Sequence, residues 1–219
     1  MDFLKQLLGI VLHLQDHLFD LTTQYGAWFY AILFGIIFAE TGLVVMPFLP
    51  GDSLVFAVGA VAANPKSGLN VWVAALVMVS AALLGDMVNY WVGRKLGQLL
   101  PKKFPRLVRQ QYIDKTRGFF EKYGPKTIII ARFVPVVRTF TPFVAGMGAM
   151  PFPRFMAYSA AGALLWIGLI LPCGWFLGGQ EFVRRRFEII VLAIIFISLL
   201  PMVFEFVKAR RAAKQASGR

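Results

Sequence analysis

The sequence is short of most of what a soluble protein uses to face water. Only 16% of its residues are charged, 11 side chains are acidic, and there are two histidines and one cysteine. A single cysteine, Cys173, excludes an internal disulfide framework; it stands in an apolar run, where a thiol serves as packing. The low charge excludes a disordered chain and a coiled coil. There is no Walker motif and no Ser/His/Asp or Cys/His constellation, so neither an ATPase nor another enzyme is expected, and no cofactor. His13 and His17 share a helix face, but no second pair accompanies them and no metal site is expected. The N-terminal MDFLKQLLG lacks the basic region of a cleaved signal, and the chain is expected to keep this segment.

What remains is apolar. AVILMFWYC residues make up 58% of the chain, in runs too long for a soluble core, and the integral membrane class fits them. The formal net charge of +12 is distributed in blocks. Between Gly26 and Gly93 the one basic residue is Lys66, whereas Arg94–Lys126 is densely basic and the last residues are basic again. Basic blocks between apolar spans follow the positive-inside pattern, not the folded basic face of a nucleic-acid reader.

The chain divides into five parts. Residues 1–24 alternate apolar and polar at helical spacing, with Leu4, Leu7, Leu8, Val11, Leu14, Leu18 and Leu21 on one stripe. This predicts an amphipathic helix at the membrane surface. Residues 25–97 form a first unit. The apolar run 27–46 meets MPFLPGD, where Pro47, Pro50 and Gly51 break it; a piece too short to span, Ser53–Ala63, follows, and then a transmembrane helix over Val71–Val92. Residues 98–124 are a basic linker whose Val108, Tyr112, Phe119 and Tyr123 predict an amphipathic helix lying on an anionic leaflet. Residues 125–180 form a second unit. The apolar stretch Thr127–Met150 is interrupted by Pro135 and Pro142, and the span Phe155–Leu177 follows. Residues 181–219 add a last span, Ile189–Val207, and a basic tail. Arg184, Arg185 and Arg186 oppose the charge rule, but the linker and tail outweigh them and are expected to be cytoplasmic.

The two units repeat one another. Ile36, Ile37, Ala39, Val44, Val45, Phe48 and Pro50 fall on Ile128, Ile129, Ala131, Val136, Val137, Phe140 and Pro142. Ala82, Leu83, Leu84, Gly93, Leu96 and Gly97 fall on Ala163, Leu164, Leu165, Gly174, Leu177 and Gly178. The expected fold is therefore an all-α membrane protein: an inverted repeat of two re-entrant, broken helical hairpins plus transmembrane helices, with a binding site between the hairpins.

The copies differ in sign. Glu40 stands where the second copy has Arg132, and Asp52 in the first break answers Arg138 in the second. A charge at the centre of a span costs about 2.5–3.5 kcal/mol on insertion scales, so these four need a purpose. In one reading the arginines hold a phosphate by forked hydrogen bonds and a desolvated Glu40 or Asp52 carries a coupling proton. In the other, Glu40–Arg132 and Asp52–Arg138 are ion pairs that pin the hairpins together. Asp86, Tyr90 and Arg94, four apart on one helix face, read as an interfacial anchor with Tyr90 bridging the charges, and secondarily as site residues. Arg154 and Trp166 read as anchors or packing.

FAETGLVVMPFLPGDS, GDMVNYWVGR and ARFVPVVRTFTPFVAGMGAM, within residues 25–180, resemble the DedA family of bacterial inner-membrane proteins, whose superfamily is related to eukaryotic VTT-domain lipid scramblases. The resemblance implies two facing re-entrant hairpins, a role in envelope integrity and tolerance of cationic antimicrobial peptides. It also implies return of the lipid carrier undecaprenyl phosphate across the membrane, in some members dependent on the proton motive force. The family's functional acids fall on Glu40 and Asp52, its arginines on Arg132 and Arg138. The expected partners are thus a membrane lipid, polyprenyl phosphate or phospholipid, and protons. A proton-dependent solute or drug exporter, a general phospholipid scramblase and a non-transporting scaffold are the alternatives, and the oligomeric state is open.

Overall fold

The computed structural model describes residues 25–42, 51–97, 99, 110–180, 190 and 193. The amphipathic segment 1–24, Pro47 and Pro50, and nearly all of the C-terminal span and tail lie outside the described residues. Among the described residues every regular element is helical: α1 (Ala27–Gly42), α2 (Gly51–Ala62), α3 (Val71–Leu96), α4 (Gln110–Tyr123), α5 (Thr127–Ala131), α6 (Pro135–Val144) and α7 (Phe152–Gly178).

α3 and α7 are the two described helices long and apolar enough to cross a membrane. At about 1.5 Å per residue each exceeds a hydrocarbon core of roughly 30 Å, whereas neither α1 nor α2 reaches it. Their outer faces are apolar and open: Trp72 is 81% exposed, Leu76 68%, Leu164 60% and Phe176 67%. Hydrocarbon is the solvent that such faces fit. Asn70 starts α3 by accepting from the amides of Trp72 (3.0 Å) and Val73 (3.3 Å), while its own amide donates to the Tyr30 hydroxyl (2.9 Å), tying the start of α3 to α1.

The second apolar stretch is cut before Pro135, which opens α6 as a first-turn proline. Pro142, expected as a break, lies inside α6. It cannot donate to the carbonyl of Arg138 one turn back, yet the helix continues for two more residues and then widens into a π-helical turn, Ala145–Ala149. Within that turn lies Gly148, whose φ of 120° is a glycine conformation.

The stripe of α4 also departs from expectation. Ile113 and Thr116 are its buried residues, and Ile113 and Phe120 pack against Phe140 and Phe143 of α6. The rings of Phe119 and Tyr123 meet at a tilt, 5.7 Å between centroids, with Tyr123 39% exposed. Of the expected stripe, Val108 lies outside the described residues, and Phe119 and Tyr123 lie beside the face, carried by Ile113 and Phe120, that meets protein.

The glycines aligned in sequence make matching contacts. A Cβ at Gly93 of α3 would strike the carbonyl of Phe143, and one at Gly146 the carbonyl of Tyr90. A Cβ at Gly174 of α7 would strike the carbonyl of Phe56, and one at Gly59 the carbonyl of Leu171. In both crossings the long helix offers a glycine and the carbonyl three residues before it; its partner offers a phenylalanine carbonyl and the glycine three residues on. Each unit's long helix thus grips the later part of the other unit's broken element, at a separation only glycine permits. Gly93→Ala and Gly174→Ala are each expected to lose about 1–3 kcal/mol of stability. Gly168→Ala, where nothing lies within 4 Å, is expected to be neutral; thermal unfolding in detergent compares the three.

Candidate functional site

Two groups of buried charge meet where the broken elements approach the long helices. The first centres on Arg138, in the first turn of α6. Its Nη1 donates to Asp52 Oδ1 at 2.9 Å and its Nη2 to Glu40 Oε1. Glu40 lies near the C-terminus of α1 and Asp52 in the first turn of α2, so one guanidinium joins both ends of the first break. Trp166 of α7 donates its indole N–H to the same Asp52 oxygen (2.8 Å), with its ring centroid 5.4 Å from the Arg138 guanidinium carbon. The helix dipole favours Asp52, at a helix start, and disfavours Glu40 and Arg138 at their ends, so the latter two depend on pairing. Gly51 makes room: a Cβ there would collide with the Glu40 carboxylate.

The second group centres on Arg132, in the turn between α5 and α6. Its Nη2 donates to Asp86 Oδ2 of α3 and to Ser159 Oγ of α7 (3.2 Å), and the Ser159 hydroxyl donates to the same Asp86 oxygen. Beside these groups, Asn89 of α3 donates its side-chain amide to the carbonyls of Thr41 (3.2 Å) and Thr139 (2.9 Å), one from each broken element.

Access is uneven. The side chain of Glu40 is 1% exposed, that of Arg138 9% and that of Asp52 23%. Asp52 is therefore the edge of the site, and Arg132 and Asp86, at 4% and 7%, are its interior. Four buried atoms find no hydrogen-bond partner among the described residues: Glu40 Oε2, Asn89 Oδ1, Arg132 Nε and Arg138 Nε. A buried polar atom left unpaired costs about 1–3 kcal/mol and calls for an explanation.

The pairing agrees with the sequence expectation for Asp52 with Arg138 and differs from it for Glu40 and Arg132. Arg138 holds both Asp52 and Glu40, while Arg132 is paired with Asp86. Asp86 is no interfacial anchor: it is 5% exposed, in the interior. Tyr90 does not bridge to Arg94. Its hydroxyl donates to the Met150 carbonyl (2.9 Å) and its ring stacks on Phe155, while Arg94 lies over Trp91. Helix spacing gave these three a shared side of α3, but Asp86 and Tyr90 are covered by α7 and the π-helical turn and Arg94 is exposed. Of the break residues, Gly51 and Pro135 stand at helix starts and Pro142 lies within α6. Trp166, Asn89 and Ser159 join the site without having been singled out for it; an amide and a hydroxyl inside apolar spans are the signals that mark the last two.

Comparison with known proteins adds the following. A family model described as VTT domain matches residues 49–176. The chain is 48% identical to Protein DedA of Escherichia coli (strain K12) over 218 residues, 99% of this chain and 100% of that protein. It is 41% identical to an uncharacterised membrane protein of Mycobacterium tuberculosis, covering 83% of this chain and 80% of that one. Inner membrane protein YqjA of Escherichia coli (strain K12) is 30% identical, over 80% of this chain and 79% of its own. No solved structure matches.

Double-mutant cycles read the pairing directly. Glu40→Gln with Arg138→Gln, and Asp86→Asn with Arg132→Gln, are each expected to couple by about 1–3 kcal/mol in unfolding free energy, and Glu40→Gln with Arg132→Gln by less. Arg138→Ala alone, which strands two carboxylates, is expected to cost about 3–5 kcal/mol.

Proposed function

The chain belongs to the DedA family of VTT-domain membrane proteins, and from that premise we propose that it is a lipid translocase moving undecaprenyl phosphate across the bacterial inner membrane. The observation that carries this reading is a pair of buried guanidiniums, Arg132 and Arg138, each with an Nε–H that has no partner among the described residues. A guanidinium with a spare N–H can donate to another oxygen, and a phosphate monoester offers three acceptors to its fork. The phosphate enters by the Asp52 edge, the most open part of the centre, and the prenyl tail stays in lipid against the apolar faces of α3 and α7.

In this reading α1–α2 and α5–α6 are two re-entrant hairpins of an inverted repeat. The reciprocal glycine crossings support it, since they relate the two units contact by contact. α4 and the C-terminal tail face the cytoplasm, as their basic character favours. Arriving phosphate competes with Glu40 and Asp52 for Arg138, and a displaced carboxylate in so apolar a place is relieved by a proton. Substrate and proton movement are thereby linked, and a proton gradient can drive the cycle.

Transbilayer movement of a short-tailed polyprenyl phosphate in proteoliposomes tests this. The native chain is expected to move it. Arg138→Ala, and the milder Arg138→Lys, which keeps the charge but loses the fork, are expected to slow movement at least tenfold and severalfold respectively. Competition by inorganic phosphate but not by neutral prenol is expected, as the head group is what the site reads. Equal movement of zwitterionic phospholipid would make the chain a general scramblase. Absence of any movement, with or without a pH gradient, would leave the solute exporter or the scaffold.

A further inference from the structure

We propose that Asp86 and Ser159 form a latch that parks Arg132 along α7, away from the substrate, and that phosphate binding draws Arg132 off this latch. This inference rests on the translocase reading and assigns to Asp86 a positioning role in it.

The two arginines are held differently. Arg138 spreads two nitrogens over two carboxylates, one of them the most exposed acid of the centre. The hydrogen bonds of Arg132 to Asp86 and to the Ser159 hydroxyl and carbonyl all run through the single nitrogen Nη2, and its Nε is buried without a partner among the described residues. A carboxylate held by one corner of the guanidinium leaves the rest of the fork uncommitted.

The berth on α7 is shaped for that side chain. Ser159 and Gly162 are three apart on one face, and a Cβ at Gly162 would lie 3.1 Å from Arg132 Nε and 3.2 Å from Cδ. Arg132 thus lies flat over a glycine with its tip on a serine and an aspartate. Its backbone stands in the turn between α5 and α6, outside either helix, so its side chain can re-aim without unwinding one. A side chain held through one nitrogen, on a backbone outside either helix, has the layout of a two-position element.

The charge count gives the latch its use. With Arg132 parked, the substrate-facing group holds Glu40 and Asp52 against Arg138, one negative charge in excess. A phosphate is repelled from such a group and accommodated once Arg132 joins it. Return of Arg132 to Asp86 then takes the second guanidinium off the phosphate and lets it go. A latch of this kind lowers affinity in proportion to the time Arg132 spends parked, and speeds release.

The test is equilibrium binding of a short-tailed polyprenyl phosphate to the full chain in nanodiscs, alongside its transbilayer movement. Asp86→Asn is expected to tighten binding roughly fivefold or more, the low end of coupling between linked sites, while slowing movement. Ser159→Ala, which removes one of the two holds, is expected to shift both in the same direction by less. Gly162→Ala crowds the berth from the other side without touching a charge and is expected to tighten binding as well; it carries the test if Asp86→Asn does not fold. A residue that merely supported the fold would weaken binding and movement together. Native binding with unchanged or weaker binding in Asp86→Asn and Gly162→Ala overturns the latch and leaves the translocase reading standing. Failure of the native chain to bind the phosphate overturns both.

Discussion

A guanidinium cannot shed its proton, so an arginine buried in an apolar bundle must have its counter-charges brought to it. Arg138 imposes that constraint on this chain. Its two carboxylates come from two successive helices, Glu40 near the end of α1 and Asp52 at the start of α2, so those two helix ends have to meet beside α6. Trp166 then fixes Asp52 from α7 while offering its ring to the guanidinium. For Trp166 to reach, α7 has to lie close along α2, and the crossing at Gly174 and Gly59 is the contact that allows it. One ion triad thus sets where one helix ends, where the next starts and how a third approaches.

The second crossing does the same work for the other charges. Gly93 and Gly146 bring the π-helical turn after α6 against α3, and Asp86 and Asn89, up to two turns earlier on α3, face the two broken elements. Asn89 donates one hydrogen to a carbonyl of each, so a single amide registers the first broken element against the second. Close packing and polar registration are coupled here: without the glycines the helices stand too far apart for the short Asn and Asp side chains to bridge them.

Much of this was legible in the sequence. The long helices followed from apolar runs, and the matched glycine pairs of the repeat correspond to matched contacts. The sign difference between the copies pointed to the residues that meet at the centre. What was not legible depended on depth. Helix spacing puts Asp86, Tyr90 and Arg94 on one side of α3 but does not say that this side passes from protein to solvent along its length. A tryptophan in an apolar span has the same local pattern whether it anchors at an interface or hydrogen-bonds a buried aspartate, so Trp166 read as packing. Alignment of the copies set Glu40 opposite Arg132; equivalent positions in a repeat need not be partners, and the nearest acid to Arg132 is on α3. Pro142 read as a break because a proline removes one donor, yet a helix supported by α3 and α4 survives that loss. The stripe of α4 was displaced because its aromatics lie beside, not on, the face that packs on α6.

The buried acids of this centre all come from the first unit and the buried arginines from the second, so neither unit can neutralise its own interior. A structure in which each half is insoluble in its own core is held together by charge as well as by packing, and its stability is concentrated where the halves meet. By formal charge among the described residues, three carboxylates, Glu40, Asp52 and Asp86, face two guanidiniums, Arg132 and Arg138. A site evolved only to hold an anion would carry the opposite excess. On the proposed reading, an excess of acid around two arginines whose Nε donors have no partner among the described residues suits a centre that exchanges partners. On the translocase reading proposed above, it is closed and slightly negative at rest, and it accepts a phosphate only when carboxylates give way to it.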